Sequence, residues 1–405
     1  MHTTQTIRLA LLIWPLSLLL GLYCQSVHTA VTKTTESQIT TGAARMDVLL
    51  PLLRGKKVAL VVNHTALVGQ THLVDTLLGA GVALKRIFAP EHGFRGAAEA
   101  GETVKDGRDA KTGLPIISLY GKKRKPEAAD LADVDIVVFD IQDVGARFYT
   151  YISTLFYVLE ACAEQDKAAL VLDRPNPNGH YVDGPVLDPQ LSSFVGIAPI
   201  PIVHGCTVGE LADMFKGEGW IKSSRNLRLS KILCQKYSHK TPYTLPVKPS
   251  PNLPDMRSIL LYPSLCLFEG TTASLGRGTE TPFQLIGHPD FPDRSFSFVP
   301  RSVPAAAAPP QLGNTCYGVD FRSLPVDRLQ QQHQLDLKAL LHFYKQFPKD
   351  KPFFLDNNFF DKLAGTPLLR QQILEGKTEK AIRASWAPGL AAYKVMRKKY
   401  LLYPE

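Results

Sequence analysis

The sequence predicts an α/β fold: a mostly parallel sheet flanked by helices, with a second, smaller α/β domain. Three observations predict it. From residue 57 to about residue 207, short apolar runs alternate with amphipathic segments, as repeated strand-helix-strand units require. The runs are nearly continuous in aliphatic residues, which indicates burial on both faces and hence parallel pairing. Each notable polar cluster follows an apolar run, as when one crevice opens along the C-terminal ends of the strands.

Taken in order, the chain begins with Arg8 and an apolar run over 9–22, broken by Pro15, Ser17 and Gly21. The run is short for a membrane span and leads to a small-residue exit at His28-Thr29-Ala30, the shape of an export signal. Residues 1–30 are therefore expected to be a signal segment and residues 31–45 a polar spacer. Residues 46–207 are expected to form the larger domain and 208–405 the smaller one. An uncleaved anchor is the alternative. Cys24 offers a lipid anchor, against which Tyr23 stands where a small residue is wanted. After cleavage no stable membrane span is expected.

Strands are expected at 58–62, 87–89, 136–139, 169–172 and 200–203, with helices at 73–78 and 154–163 between them. The proline-rich stretches 246–254 and 300–310, the second containing four alanines at 305–308, read as connectors or surface loops. Helical periodicity returns at 337–347 and 367–374, before a late aromatic, Trp386.

A length of 405 residues suits two domains, and 45% hydrophobic with 20% charged residues is ordinary for a globular protein. The formal charge of +9 suits an anionic polymer or plain solubility. No dense basic and aromatic array points to nucleic acid. Beyond Cys24, Cys162, Cys206, Cys234, Cys266 and Cys316 are scattered and form no CxxC pair, which argues against a cysteine zinc site. Cys162 and Cys266 lie in apolar runs and read as core.

The polar clusters carry the chemistry. The first follows residue 62 as Asn63-His64-Thr65. The second is Pro90-Glu91-His92-Gly93-Phe94-Arg95-Gly96, a carboxyl, an imidazole and a guanidinium around two glycines. The third holds Asp140, Asp143, Arg147, Tyr149 and Tyr151; the fourth Asp173, Arg174 and Asn176; the fifth His204. Glycoside cleavage needs one carboxyl that gives a proton to the leaving oxygen and a second group acting on water or on the anomeric carbon. Glu91 and Asp143 lead as that pair, with Asp140, Asp173 and Glu269 behind them. Asp140, directly after the third run, also reads as a structural cap.

Arg95, Arg147, Arg174 and Arg277 suggest an acidic ligand, because a guanidinium grips a carboxylate through two parallel hydrogen bonds. Arg277, between Gly276 and Gly278, is the first choice for that contact and Arg147 the second. Tyr149 and Tyr151 could provide a stacking wall and hydroxyl donors for a sugar ring. His64, His92, His204 and His288 are conceivable metal ligands, but neither HxH nor HExxH spacing occurs, so neither metal nor cofactor is expected. GxSxG and GxGxxG are absent as well.

Together these segments resemble the exo-β-N-acetylmuramidase family of exported bacterial glycoside hydrolases. The pieces are residues 90–96, the run 139–151, Asp173-Arg174-Pro175-Asn176-Pro177-Asn178-Gly179, Phe268-Glu269-Gly270-Thr271-Thr272 and the Arg277 loop. The resemblance spans about residues 48–405. It implies a Rossmann-like domain, a smaller α/β domain and a cleft between them. It also implies release of terminal N-acetylmuramic acid from the non-reducing end of peptidoglycan fragments, with Glu91 as the family's catalytic glutamate. The candidate catalytic residues are thus Glu91, Asp143 and Glu269. The candidate binding residues are Asn63, His92, Arg95, Asp140, Arg147, Tyr149, Tyr151, Asp173, Arg174, Asn176, His204 and Arg277. Peptidoglycan-derived saccharides are the expected partners, and the periplasm or the medium the expected location. The alternatives are a non-catalytic muropeptide-binding or sensing protein and a metal-assisted amide or ester hydrolase, which a chelator would separate.

Overall fold

The computed structural model describes residues 39–94 and 106–405. Its centre is a seven-stranded sheet. Six strands run parallel: Lys57–Val62, Ala83–Ala89, Pro115–Ser118, Ile136–Asp140, Ala168–Leu172 and Arg228–Ile232. A short antiparallel strand, Gly107–Arg108, closes one edge beside Pro115–Ser118. Numbered one to six along the chain, the parallel strands lie in the spatial order 3-2-1-4-5-6. The winding reverses between Lys57–Val62 and Ile136–Asp140, and a crevice opens at such a reversal, beyond the carboxyl ends of the strands.

Alternate residues of each central strand feed two separate cores. Val58, Leu60, Val62, Ile136 and Val138 join Leu49 and Leu53 of helix Met46–Leu53 and Leu73, Val74 and Leu77 of helix Leu73–Gly79. Ala59, Val61, Val137 and Phe139 face helices Tyr151–Glu164 and Val208–Gly217. Burial on both faces is why the runs read as continuous apolar sequence.

The smaller part holds an antiparallel sheet of Leu285–His288, Cys316–Asp320 and Ser297–Phe298. Helix Phe359–Ala364 packs against the 3-10 turn Cys266–Gly270, and helix Lys338–Gln346 carries Phe343, which stacks on Phe291 at 4.2 Å between ring centroids within an aromatic cluster. The chain then returns. Arg397, in helix Glu379–Arg397, donates from Nε to the Gly205 carbonyl, and the Tyr403 hydroxyl donates to Asp173 Oδ2 at 2.6 Å.

Several expectations need correction. The run at 200–203 is a strand, Pro201–Val203, but it pairs antiparallel with Asp183–Val186 outside the main sheet. Residues 39–45 are no spacer: Thr40 pairs with Gln235, Ala43 is buried, and a Cβ on Gly42 would stand 2.2 Å from the Ile232 carbonyl. The main sheet also continues past residue 207, because Arg228–Ile232 is its outer strand. Two of the six parallel strands of the main sheet escaped the sequence reading. Pro115–Ser118 is short and opens on proline, and Arg228–Ile232 is half polar because it lies on an edge. The five cysteines among the described residues are buried and free.

Candidate active site

A cavity of about 920 Å³ opens beside the carboxyl end of strand Ala83–Ala89 and is lined by Glu91, His92, Tyr149, Tyr151, Glu269 and Arg277. Six of the candidate residues therefore converge on one space. The turn that carries Glu91 is built locally. The Gly93 amide donates to the Pro90 carbonyl at 3.0 Å, and His92 and Gly93 both take positive φ, 66° and 74°. Glycine adopts that conformation freely, whereas a histidine there is strained. Phe94 is buried and packs edge-on against His72, pinning the end of the turn. The result is a half-buried Glu91 carboxyl facing the cavity. Its Oε2 accepts a hydrogen bond from Thr150 Oγ1 at 2.5 Å. Thr150 precedes helix Tyr151–Glu164, yet its hydroxyl makes no cap bond to that helix. The side chain serves Glu91 instead.

Aromatic rings form the floor. Tyr149 meets Tyr151 and Tyr262 edge to face, with centroids 4.8 Å and 5.7 Å apart. Both the Tyr149 and the Tyr151 hydroxyl donate to the Pro249 carbonyl, at 2.9 Å and 3.2 Å. Both residues are buried, Tyr151 almost completely, and their hydroxyl protons are committed to the backbone, so they shape the floor of the cavity rather than supply the hydroxyl donors the sequence suggested. Burial raises both phenol pKa values well above the ordinary tyrosine range, and for Tyr151 the charge of Glu91 adds to it. Both stay neutral at physiological pH. Residues 305–310 complete the apolar wall, with Asn252 Nδ2 donating to the Ala305 carbonyl at 3.1 Å. The alanine-proline stretch is thus a cavity wall as well as a loop.

Glu269, which also lines the cavity, lies in a 3-10 turn, Cys266–Gly270. Arg277 donates to Glu269 Oε1 through both Nε and Nη2 and lies over the Phe283 ring, 5.0 Å from its centroid. Gly278, at φ 81°, lets the loop pass the Arg301 carbonyl, which a Cβ would approach to 2.3 Å. Burial lowers the Arg277 pKa, and the Glu269 charge more than offsets it, leaving the guanidinium firmly charged. The first-choice arginine therefore comes with an acidic partner of its own.

The other candidates among the described residues do not line the cavity. Arg147 is fully buried and donates to the carbonyls of Pro185, Ile200 and Leu363, each at 2.8 Å. Burial alone lowers its pKa to about 9. It ties segments together, because buried carbonyls need donors. Arg174 is locked in a two-pronged ion pair with Asp140, Nε to Oδ1 at 2.6 Å and Nη2 to Oδ2 at 2.8 Å. Asp173 accepts from Thr207 Oγ1, Tyr403 and the Gly209 amide, and burial pushes its pKa up to about 6. Asn176 bonds the Cys206 carbonyl and the Asn178 amide. These residues hold loops at the strand ends.

Asp143 and His204 form an inner layer. Asp143 Oδ2 accepts from the Gly145 amide at 2.6 Å, and His204 Nε2 stands 3.8 Å from the same oxygen. Asn63 Oδ1 accepts from the amide and hydroxyl of Thr65. Asp143 is near enough for its charge to act on Tyr149 and Tyr151, but it does not reach the cavity wall. Arg95 lies outside the described residues. Among the described residues, no group of three or more His, Cys, Asp and Glu is placed to hold a metal ion.

Sequence reasoning missed Thr150, Tyr120, Arg124, Phe194 and Tyr262, all of which line the cavity. Tyr120 and Arg124 follow strand Pro115–Ser118, so the strand-end rule would have found them had that strand been read.

Known proteins resemble this chain over most of its length. The N-terminal family model of the exo-β-N-acetylmuramidase NamZ matches residues 58–257, and the C-terminal model matches 260–403. Peptidoglycan β-N-acetylmuramidase NamZ of Bacillus subtilis (strain 168) is 39% identical over 378 residues, 88% of this chain and 90% of that protein. A DUF1343 family protein of Bacteroides fragilis NCTC 9343, solved by crystallography, superposes with a TM-score of 0.84 at 46% identity, covering 91% of this chain and 100% of that one. A second DUF1343 protein of the same organism gives a TM-score of 0.76 at 27% identity, over 90% and 99%.

Proposed function

The chain belongs to the exo-β-N-acetylmuramidase NamZ family, and we propose that it hydrolyses the terminal, non-reducing N-acetylmuramic acid from peptidoglycan fragments. The observation that carries this reading is the Glu91 carboxyl, presented to a large, aromatic-floored cavity by a strained turn and held by Thr150. Glu91 gives its proton to the glycosidic oxygen as the bond from that oxygen to the anomeric carbon breaks. Water then supplies hydroxide to the anomeric carbon, and its other proton restores the carboxyl. Glu269, charge-compensated by Arg277, is the second carboxyl that lines the same space. Asp143 acts from behind the tyrosine pair, on their electrostatics rather than on the sugar.

A chromogenic N-acetylmuramide and the matching N-acetylglucosaminide test the reading together. Chromophore is expected from the muramide and little from the glucosaminide. Release from neither, or equally from both, overturns it.

Export to the periplasm or the medium is the second part of the proposal. It rests on Arg8, the apolar run 9–22 and the small-residue exit at Ala30, all outside the described residues. Among the described residues no helix is long and apolar enough to cross a membrane. N-terminal sequencing of the native protein is expected to begin near Val31. A chain that retains Met1 in the cytoplasmic fraction would contradict export.

A further inference from the structure

The cavity is also lined by a second arginine, whose charge no carboxylate among the described residues compensates. Arg124 sits in the basic run Lys122-Lys123-Arg124-Lys125 after strand Pro115–Ser118. Its two neighbours are tied down: Lys123 pairs with Glu127 and Asp130, and Lys125 with Glu160 and Glu164. Arg124, between them, is exposed and lines the cavity. Its guanidinium lies over the Phe194 ring, 4.7 Å from the centroid. Among the described residues no carboxylate pairs with it.

The platform under Arg124 is rigid. Phe194 is buried, its carbonyl accepts from Ser153 Oγ at 2.7 Å, and its ring stacks against Tyr157 and leans on Tyr120. A guanidinium held over an aromatic face by cation–π attraction spends none of its N–H donors on the ring and keeps them for another partner. Its edge matches the two oxygens of a carboxylate. Holding the side chain in place beforehand also lowers the entropy lost on binding.

We propose that Arg124, on its Phe194 platform, binds the lactyl carboxylate of N-acetylmuramic acid and so selects this sugar over N-acetylglucosamine. The inference rests on the muramidase reading for the identity of the sugar. It replaces Arg277, whose donors face Glu269, as the acid-reading group. It also sets a substrate preference. A lactyl group joined to a stem peptide is an amide and cannot accept the two-pronged contact, so sugars with a free lactyl acid bind more tightly.

Titration calorimetry tests this without requiring turnover. The ligands are free N-acetylmuramic acid, its lactyl N-methylamide and a muramyl dipeptide, whose carboxylate lies farther from the sugar. The proteins are wild type, Arg124→Gln and Arg124→Lys, each checked for an unchanged melting transition. Wild type is expected to prefer the acid to the amide, and Arg124→Gln to shrink that preference about ten- to a hundredfold, the worth of a charged hydrogen bond. Arg124→Lys keeps the charge but loses the fork and the stack, and falls between the two. Equal losses on acid and amide, or no loss on the acid, overturn the proposal. So does dependence of the dipeptide on Arg124 as strong as that of the acid, which would assign the cation to the stem peptide. A wild-type protein that binds the acid in this manner yet cleaves no muramide removes the muramidase reading and leaves this contact standing.

Discussion

Replacing Glu91 with glutamine is expected to lower turnover of a chromogenic N-acetylmuramide by about a hundredfold to ten-thousandfold. In activation energy this is about 3–5 kcal/mol, from the ratio of one decade per 1.36 kcal/mol. The substitution is nearly isosteric. A glutamine oxygen still accepts from Thr150 Oγ1, and the turn at His92 and Gly93 depends on backbone bonds that the change leaves alone. The amide cannot supply a proton to the leaving oxygen, so the loss should appear in kcat with the melting transition unmoved. A variant within a few-fold of wild type would remove Glu91 from the chemistry and transfer the search to Glu269.

Asp140→Ala is expected to destabilise the protein by about 3–5 kcal/mol, because it leaves the Arg174 guanidinium buried with no counter-charge. Asp140 is fully buried and Arg174 nearly so. Burial lowers the Arg174 pKa, and the Asp140 charge more than restores it. Against a typical domain stability of about 5–15 kcal/mol the loss is large. The double variant Asp140→Leu with Arg174→Met should recover most of it, since a well-packed apolar pair of similar volume often matches a buried ion pair. Urea denaturation measures both. If Asp140→Ala unfolds near the wild-type midpoint yet loses substrate affinity, the pair belongs to binding after all.

These two expectations mark where the sequence was legible. The Glu91 turn depends on neighbours in the chain: proline ends the strand, and a histidine and a glycine take the positive φ values that reverse it. Such local geometry is written in adjacent residues. The same holds for helix Tyr151–Glu164 and for the central strands, whose unbroken apolar runs follow from burial on both faces. Pattern alone could not tell which strand pairs with which. Residues 201–203 are as apolar as a main-sheet strand, yet they pair antiparallel elsewhere.

The sequence by itself determined the parallel sheet, its polar rim and the presence of several arginines suited to an acid. Only the tertiary structure decided what each arginine does. Arg147 spends its donors on carbonyls of Pro185, Ile200 and Leu363, Arg174 on Asp140 and Arg277 on Glu269, whereas Arg124 is left over a buried ring at the cavity wall. A guanidinium has the same chemistry in each place. Its role is set by whichever acceptors the fold brings within about 3 Å of it, and most of those acceptors lie far away in the chain.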